Sequence, residues 1–115
     1  VDTLKSSDNI AIAAEDDNIN SEICRISGRA PYYLIFDGDG TFLKSIKNPN
    51  QRRGQQASIK VVDILLRESC QTVIAGQFGS RMVRLLKEHK IKYYQRRGNI
   101  MEVVEQFMKN QGKKE

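Results

Sequence analysis

Two aspartates, Asp37 and Asp39, stand within "YYLIFDGDGTFL", Tyr32 to Leu43. An Asp-x-Asp pair behind an apolar strand suits phosphoryl transfer: one carboxylate attacks phosphorus, the other moves a proton, and Mg²⁺ offsets the charge. The same letters describe a strand, a tight Asp-Gly turn and a returning strand, because glycine accepts positive φ at little cost. Other chemistry-bearing residues are few. Cys24 and Cys70 fall in no CxxC pattern, and His89 is the single histidine. A disulfide framework or structural zinc site is therefore not expected, and this cysteine usage suits a reducing, cytoplasmic compartment.

A phosphoryl-transfer site needs more than two carboxylates, and the rest of the chain does not supply it. In dehalogenase-type phosphatases, which the Asp-x-Asp-Gly-Thr motif resembles, a later strand ends in Ser or Thr and further acids complete the metal site. Here "TVIAG" ends in Ala75 and Gly76. Beyond Lys92 the acids are Glu102, Glu105 and Glu115, of which Glu102 and Glu105 lie on a helical stretch, and Asp63 sits inside another. The expectation is a hairpin shaped by Asp37 and Asp39, with the phosphatase as a remote alternative.

The elements that would position any site follow from apolar periodicity. "NIAIAA" (Asn9 to Ala14) and "TVIAG" (Thr72 to Gly76) are short continuous apolar runs, as in strands covered on both faces. "YYLIFD" (Tyr32 to Asp37) is aromatic and β-branched, and "TFLKSIK" (Thr41 to Lys47) carries the interspersed charge of an edge strand. "IKYYQ" makes a last strand; in each tyrosine pair, Tyr32–Tyr33 and Tyr93–Tyr94, alternation predicts one core and one surface ring. Helical stripes run through "ASIKVVDILLRES" (Val61, Val62, Ile64, Leu65, Leu66) and "RMVRLLKEH" (Met82, Val83, Leu85, Leu86). In the final helix Ile100, Val103, Val104, Phe107 and Met108 share one face, and Asn99 with Glu102 resembles a capping box. The order β-β-β-α-β-α-β-α describes a three-layer α/β domain.

The 115 residues suit a single domain, expected over 9–110, with a flexible segment over 1–8 and a polar tail over 111–115. Hydrophobic residues make up 39% and charged ones 29%, as in globular proteins. No apolar run approaches the roughly 20 residues that span a bilayer, and "VDTLKSSDN" has no basic-then-apolar secretory pattern. Lys plus Arg number 19 against 14 acids, a formal +5 that suits an anionic partner and equally a solvated surface.

"SGRAPYYLIFD" followed by "TVIAGQFGSRMVRLLKEHKIKYY" resembles the dinitrogenase iron–molybdenum cofactor biosynthesis family, which includes accessory and carrier proteins of nitrogenase cofactor assembly. The likeness runs from Asn9 to about Lys109: an opening strand and acidic loop, Gly28-Arg29-Ala30-Pro31, Asn48-Pro49, Val73 to Gly76, Gly79 before a helix, and Ile91 to Tyr94. The resemblance implies a ribonuclease H-like fold with a mixed five-stranded sheet. It implies a non-catalytic binder or carrier of an iron–molybdenum or iron–sulfur cluster, with metallocluster-assembly proteins as partners. The cluster would lie where the loop after the first strand, the Gly28–Arg29 loop and Gly76, Gln77, Phe78 and Gly79 converge. Backbone N–H groups at a helix start and an Arg side chain suit such an anion. Where many members carry His-Phe before Gly-Arg-Ala this chain has Ile26-Ser27, which removes an imidazole and leaves Cys24 as the candidate thiolate.

Other residues carry plainer readings. His89 suits a helix C-terminus, and Cys70 suits the core. Arg52-Arg53-Gly54 and Arg96-Arg97-Gly98 read as solvated turns, and Glu15, Asp16 and Asp17 as a polar loop. A nuclease would need carboxylates converging from strands, and "IAIAA" has none. The alternative of a different class is a non-catalytic nucleic-acid binder, which would need exposed stacking aromatics.

Overall fold

In the computed structural model, residues 9–48 and 57–113 are described here. The strands are β1 (Asn9–Ala14), β2 (Tyr32–Phe36), β3 (Phe42–Lys47), β4 (Cys70–Ala75) and β5 (Lys92–Gln95). The helices are α1 (Ala57–Arg67), α2 (Ser80–Glu88) and α3 (Ile100–Lys113), with a 3₁₀ turn over Ser27–Arg29. One mixed five-stranded sheet has the order β3-β2-β1-β4-β5. β2 runs antiparallel to β1 and β3, whereas β4 is parallel to both β1 and β5. Among the described residues no helix is long and apolar enough to cross a membrane. The expected segments 1–8 and Arg52-Arg53-Gly54 lie outside the described residues. Residues 111–113 of the expected tail continue α3.

Strand alternation sorts the core into two layers. Ala11, Ala13, Tyr33, Ile35, Val73 and Ala75 point to one face, where Val61, Val62 and Leu65 of α1 and Met82 and Leu86 of α2 cover them. Ile10, Ile12, Leu34, Phe36 and Ile74 point to the other, under Ile100, Val103, Val104 and Phe107 of α3. Because both faces are covered, the middle strands need apolar residues at every position, which is why "NIAIAA" is continuous rather than alternating. The same fact corrects the tyrosine expectation. Tyr33 is fully buried, while Tyr32 and Tyr94 pack toward the α3 layer and Tyr93 toward the α1–α2 layer, so no ring is a plain surface residue. Leu66 also departs from its stripe: it is 44% exposed.

Local signals account for the ends of the elements. Asn99 Oδ1 accepts the Glu102 N–H at 3.2 Å, capping α3. His89 is the exposed C-cap residue of α2, its N–H donating to the Leu85 carbonyl. The next residue, Lys90, has φ +60°, and Ser69 takes the same left-handed value after α1. The β2–β3 connection is a hairpin. Asp37 Oδ1 accepts the N–H groups of Asp39 at 2.9 Å and Thr41 at 3.0 Å, and Gly40 supplies φ +88°. Asp37 shapes the turn through its carboxylate; Asp39 enters through its backbone N–H.

Candidate functional site

β1, β4 and β5 run in one direction, so their C-terminal ends form one rim of the sheet. At the junction between β1 and β4 the chain's connections diverge to opposite sides, the kind of place where open α/β sheets bind ligands. Here the chain lays its own backbone across that junction. The Ile23 N–H donates to the Gly98 carbonyl, and the Ile100 N–H donates to Ser21. The Cys24 N–H donates to the Ala13 carbonyl at the end of β1, and the Gly76 N–H donates to Cys24 at the end of β4. The Ser27 N–H then donates to the Gln77 carbonyl at 3.2 Å. Residues 21–27 thus run from the start of α3, over the ends of two strands, to the loop that precedes α2.

The turn that follows is anchored from the core. The Tyr33 hydroxyl, fully buried, donates to the Ser27 carbonyl. Burial drives that phenol above its usual range, so it remains a donor. Asn48, itself 1% exposed, donates its side-chain amide to the Ala30 carbonyl at 2.9 Å and its backbone N–H to Pro31. Among the described residues the buried Ser27 hydroxyl has no hydrogen-bond partner. These anchors fix the 3₁₀ turn from below and leave Arg29 exposed above it.

Main-chain bonds join Cys24 to Gly76 and Ser27 to Gln77; Gly28 and Arg29 follow in the chain on one side, Phe78 and Gly79 on the other. Their individual settings differ. A Cβ on Gly76 would lie 2.7 Å from both Cα and O of Arg25, so the bareness of Gly76 accommodates the chain's own backbone. A Cβ on Gly79 would meet nothing within 4 Å; this residue faces open space directly before α2. Gln77 is exposed, and Phe78 is half-buried with its ring edge-to-face on Tyr93 at 5.3 Å. Arg25 and Arg29 are exposed, and Arg96, whose N–H donates to Ala75 at the end of β4, lies over the Tyr94 ring.

Cys24 is buried, and its Sγ donates to the Ile26 carbonyl at 3.6 Å. Burial pushes its thiol pKa up, the Ile26 hydrogen bond opposes this, and the Glu15 carboxylate adds to the rise. It is a thiol at neutral pH unless a metal displaces the proton. Among the described residues no three of His, Cys, Asp or Glu gather as a metal ligand set. The donor set thus fits an anionic group held by N–H dipoles and guanidinium charge better than a metal ion caged by side chains. Asp37 and Asp39 stand at the opposite end of the sheet, since β2 is antiparallel to β1 and Phe36 pairs with Ile10.

A family model described as dinitrogenase iron-molybdenum cofactor matches residues 8–110. The chain belongs to that family. Solved structures of the same fold include the apo form of the orange protein from Desulfovibrio gigas, at TM-score 0.82 and 22% identity over 90% of this chain and 88% of that one. A candidate NifB protein from Thermotoga matches at 0.76 and 22%, over 89% and 88%. A candidate dinitrogenase from Methanocaldococcus jannaschii matches at 0.64 and 15%, over 89% and 88%. A search of curated proteins found no match.

Within the family match, four residues play parts at the rim that residue patterns did not show. Arg25 is set by its contact with Gly76, and Asn48 by its clamp on the 3₁₀ turn. Ser27 carries the carbonyl that meets Tyr33, and Arg96 lies over Tyr94. Only Tyr33 left a trace in the sequence: a phenol within an apolar strand needs a buried acceptor.

Proposed function

We propose that the protein is a non-catalytic carrier of an anionic metal–sulfur cluster of the iron–molybdenum or iron–sulfur kind, acting within cofactor assembly. The observation that carries this reading is the joining of the Cys24–Ser27 segment, which leads into Arg29, to Gly76 and Gln77 at one rim through main-chain hydrogen bonds. Family membership supports the same cargo, and one structural relative was solved as an apo form, that is, without its bound group. The strand order, with β2 antiparallel to its neighbours, supports the ribonuclease H-like description.

In this reading the cluster is cargo. The open side of Gly79 and the first-turn N–H groups of α2, a helix of nine residues, present positive dipole to an anion. Arg29 adds a full charge, and its guanidinium can donate to sulfide or oxo edges. Cys24 supplies a thiolate once metal displaces its proton. Nothing in this set performs bond-breaking. The nucleic-acid reading is weakened because all four tyrosines are engaged in the two core layers.

Anaerobic titration with a soluble molybdenum–iron–sulfur cluster tests the proposal. A stoichiometric complex that survives high salt and loses at least about tenfold in affinity in Arg29→Ala supports it. Absence of binding, or binding indifferent to Arg29, Gly79 and Cys24 substitution, overturns it. Binding of RNA instead would fall steeply as salt rises.

A further inference from the structure

β3 is an edge strand, and five of its six residues are exposed. Its outer main-chain groups face away from β2, and Phe42 and Leu43 are 38% and 47% exposed. Beside it, β3 and α1 enclose a groove of about 680 Å³ whose apolar lining is Ile46, Ile64 and Leu66. Among the described residues Lys47, Lys60 and Arg67 also line it, with Asp63 as the one acid. Lys44 on the same strand is already paired with Glu68 at 2.9 Å.

We propose that this edge and groove dock an extended acidic segment of a partner protein, which adds beside β3 as a further strand. Three features select this occupant. An exposed edge offers main-chain donors and acceptors at strand spacing, the basis of β-strand addition. The apolar floor with a cationic border fits a strand whose inward-facing side chains are apolar at the centre, over Ile64 and Leu66, and acidic on either side, beside Lys60 and Arg67. A second copy of this chain fits poorly, since it would bring Lys47, Lys60 and Arg67 against an identical cationic set, and lysines on an edge oppose self-pairing.

The test is an NMR titration of the whole chain with a peptide of about ten residues in which every second position, the inward face, is valine at the centre and glutamate on either side, long enough to span the edge at about 3.4 Å per residue. The expected result is shifts and exchange protection centred on Phe42–Lys47, weakened by salt. Affinity should fall at least tenfold in the K60E/R67E double variant, whose substitutions are both at exposed positions. A valine–lysine peptide should bind far more weakly. The proposal is overturned by shifts confined to the Cys24–Gly79 rim, by no response at millimolar peptide, or by equal binding of the lysine peptide. It is likewise overturned by concentration-dependent self-association through β3, or by contacts in the free protein between residues 49–56 and Leu66, because either would mean the groove is already covered.

Discussion

The bond from the Tyr33 hydroxyl to the Ser27 carbonyl lets a side chain from β2 in the buried core grip the rim turn. Replacing Tyr33 by Phe keeps a ring of the same shape in a fully buried position and removes only the donor. The Ser27 carbonyl is then left short of a partner in a dry place, which costs about 1–3 kcal/mol. The neighbouring hydroxyl offers an internal control. Ser27 Oγ is buried and makes no hydrogen bond among the described residues, so Ser27→Ala removes nothing the fold uses and should stay within about 0.5 kcal/mol of the parent or slightly exceed it. Urea unfolding of the two variants measures both values, and amide exchange at Ser27 and Arg29 reports the turn itself. Exchange there should accelerate about five- to 150-fold in Tyr33→Phe. If Tyr33→Phe lies within about 0.5 kcal/mol of the parent, or if Ser27→Ala costs as much as Tyr33→Phe, the turn is not held from the core by the Tyr33 hydroxyl.

The two rim glycines should separate cleanly. Gly76→Ala forces its Cβ against the Arg25 backbone and should destabilise by about 1–3 kcal/mol, whereas Gly79→Ala, in open space, should change stability by less than about 0.5 kcal/mol; thermal unfolding of both variants checks this. Lys90→Gly relieves a left-handed backbone at the end of α2 and should raise stability by about 0.5–1 kcal/mol, read as an increase in Tm. Cys70 is held up to about 12 by burial, with Glu68 adding to the rise, from an ordinary value of 9.0. Above pH 9 the unfolded thiol ionises and the folded one does not, so the unfolded state binds fewer protons and stability falls with rising pH, by up to about 1.4 kcal/mol per unit until the folded thiol titrates. Cys70→Ala should flatten that alkaline slope, measured by unfolding between pH 8 and pH 11.

Period-two and helical patterns carried most of the architecture into the sequence. The alanine-rich β1 announced a strand covered on both faces, and the Ile100–Met108 face announced α3. The Asp-Gly signal announced the hairpin, because turn chemistry is local and the Asp37 carboxylate acts within a few residues. Patterns failed where the deciding contact is distant in sequence. One tyrosine of each pair looked like a surface residue because alternation reports two faces but not whether a helix lies over each. Leu66 looked like core because a broad stripe does not say where the sheet ends. At the site, the resemblance supplied which loops meet, and only the folded chain shows how. Arg25 against Gly76 and Asn48 on Ala30 join residues separated by whole elements, so neither leaves a mark in any short window. Glycine at position 76 reads alike whether it makes room for a ligand or for the chain itself.

The strap formed by residues 21–27 is fastened by amides and carbonyls, and those bonds do not depend on which side chains decorate it. Arg25 and Ile26 can therefore be exchanged with little penalty to the scaffold, so under the proposed carrier function selection could retune the cargo without rebuilding the fold. Diversity of cargo across such a lineage would then accumulate in a handful of outward positions while the main-chain frame beneath them stays put.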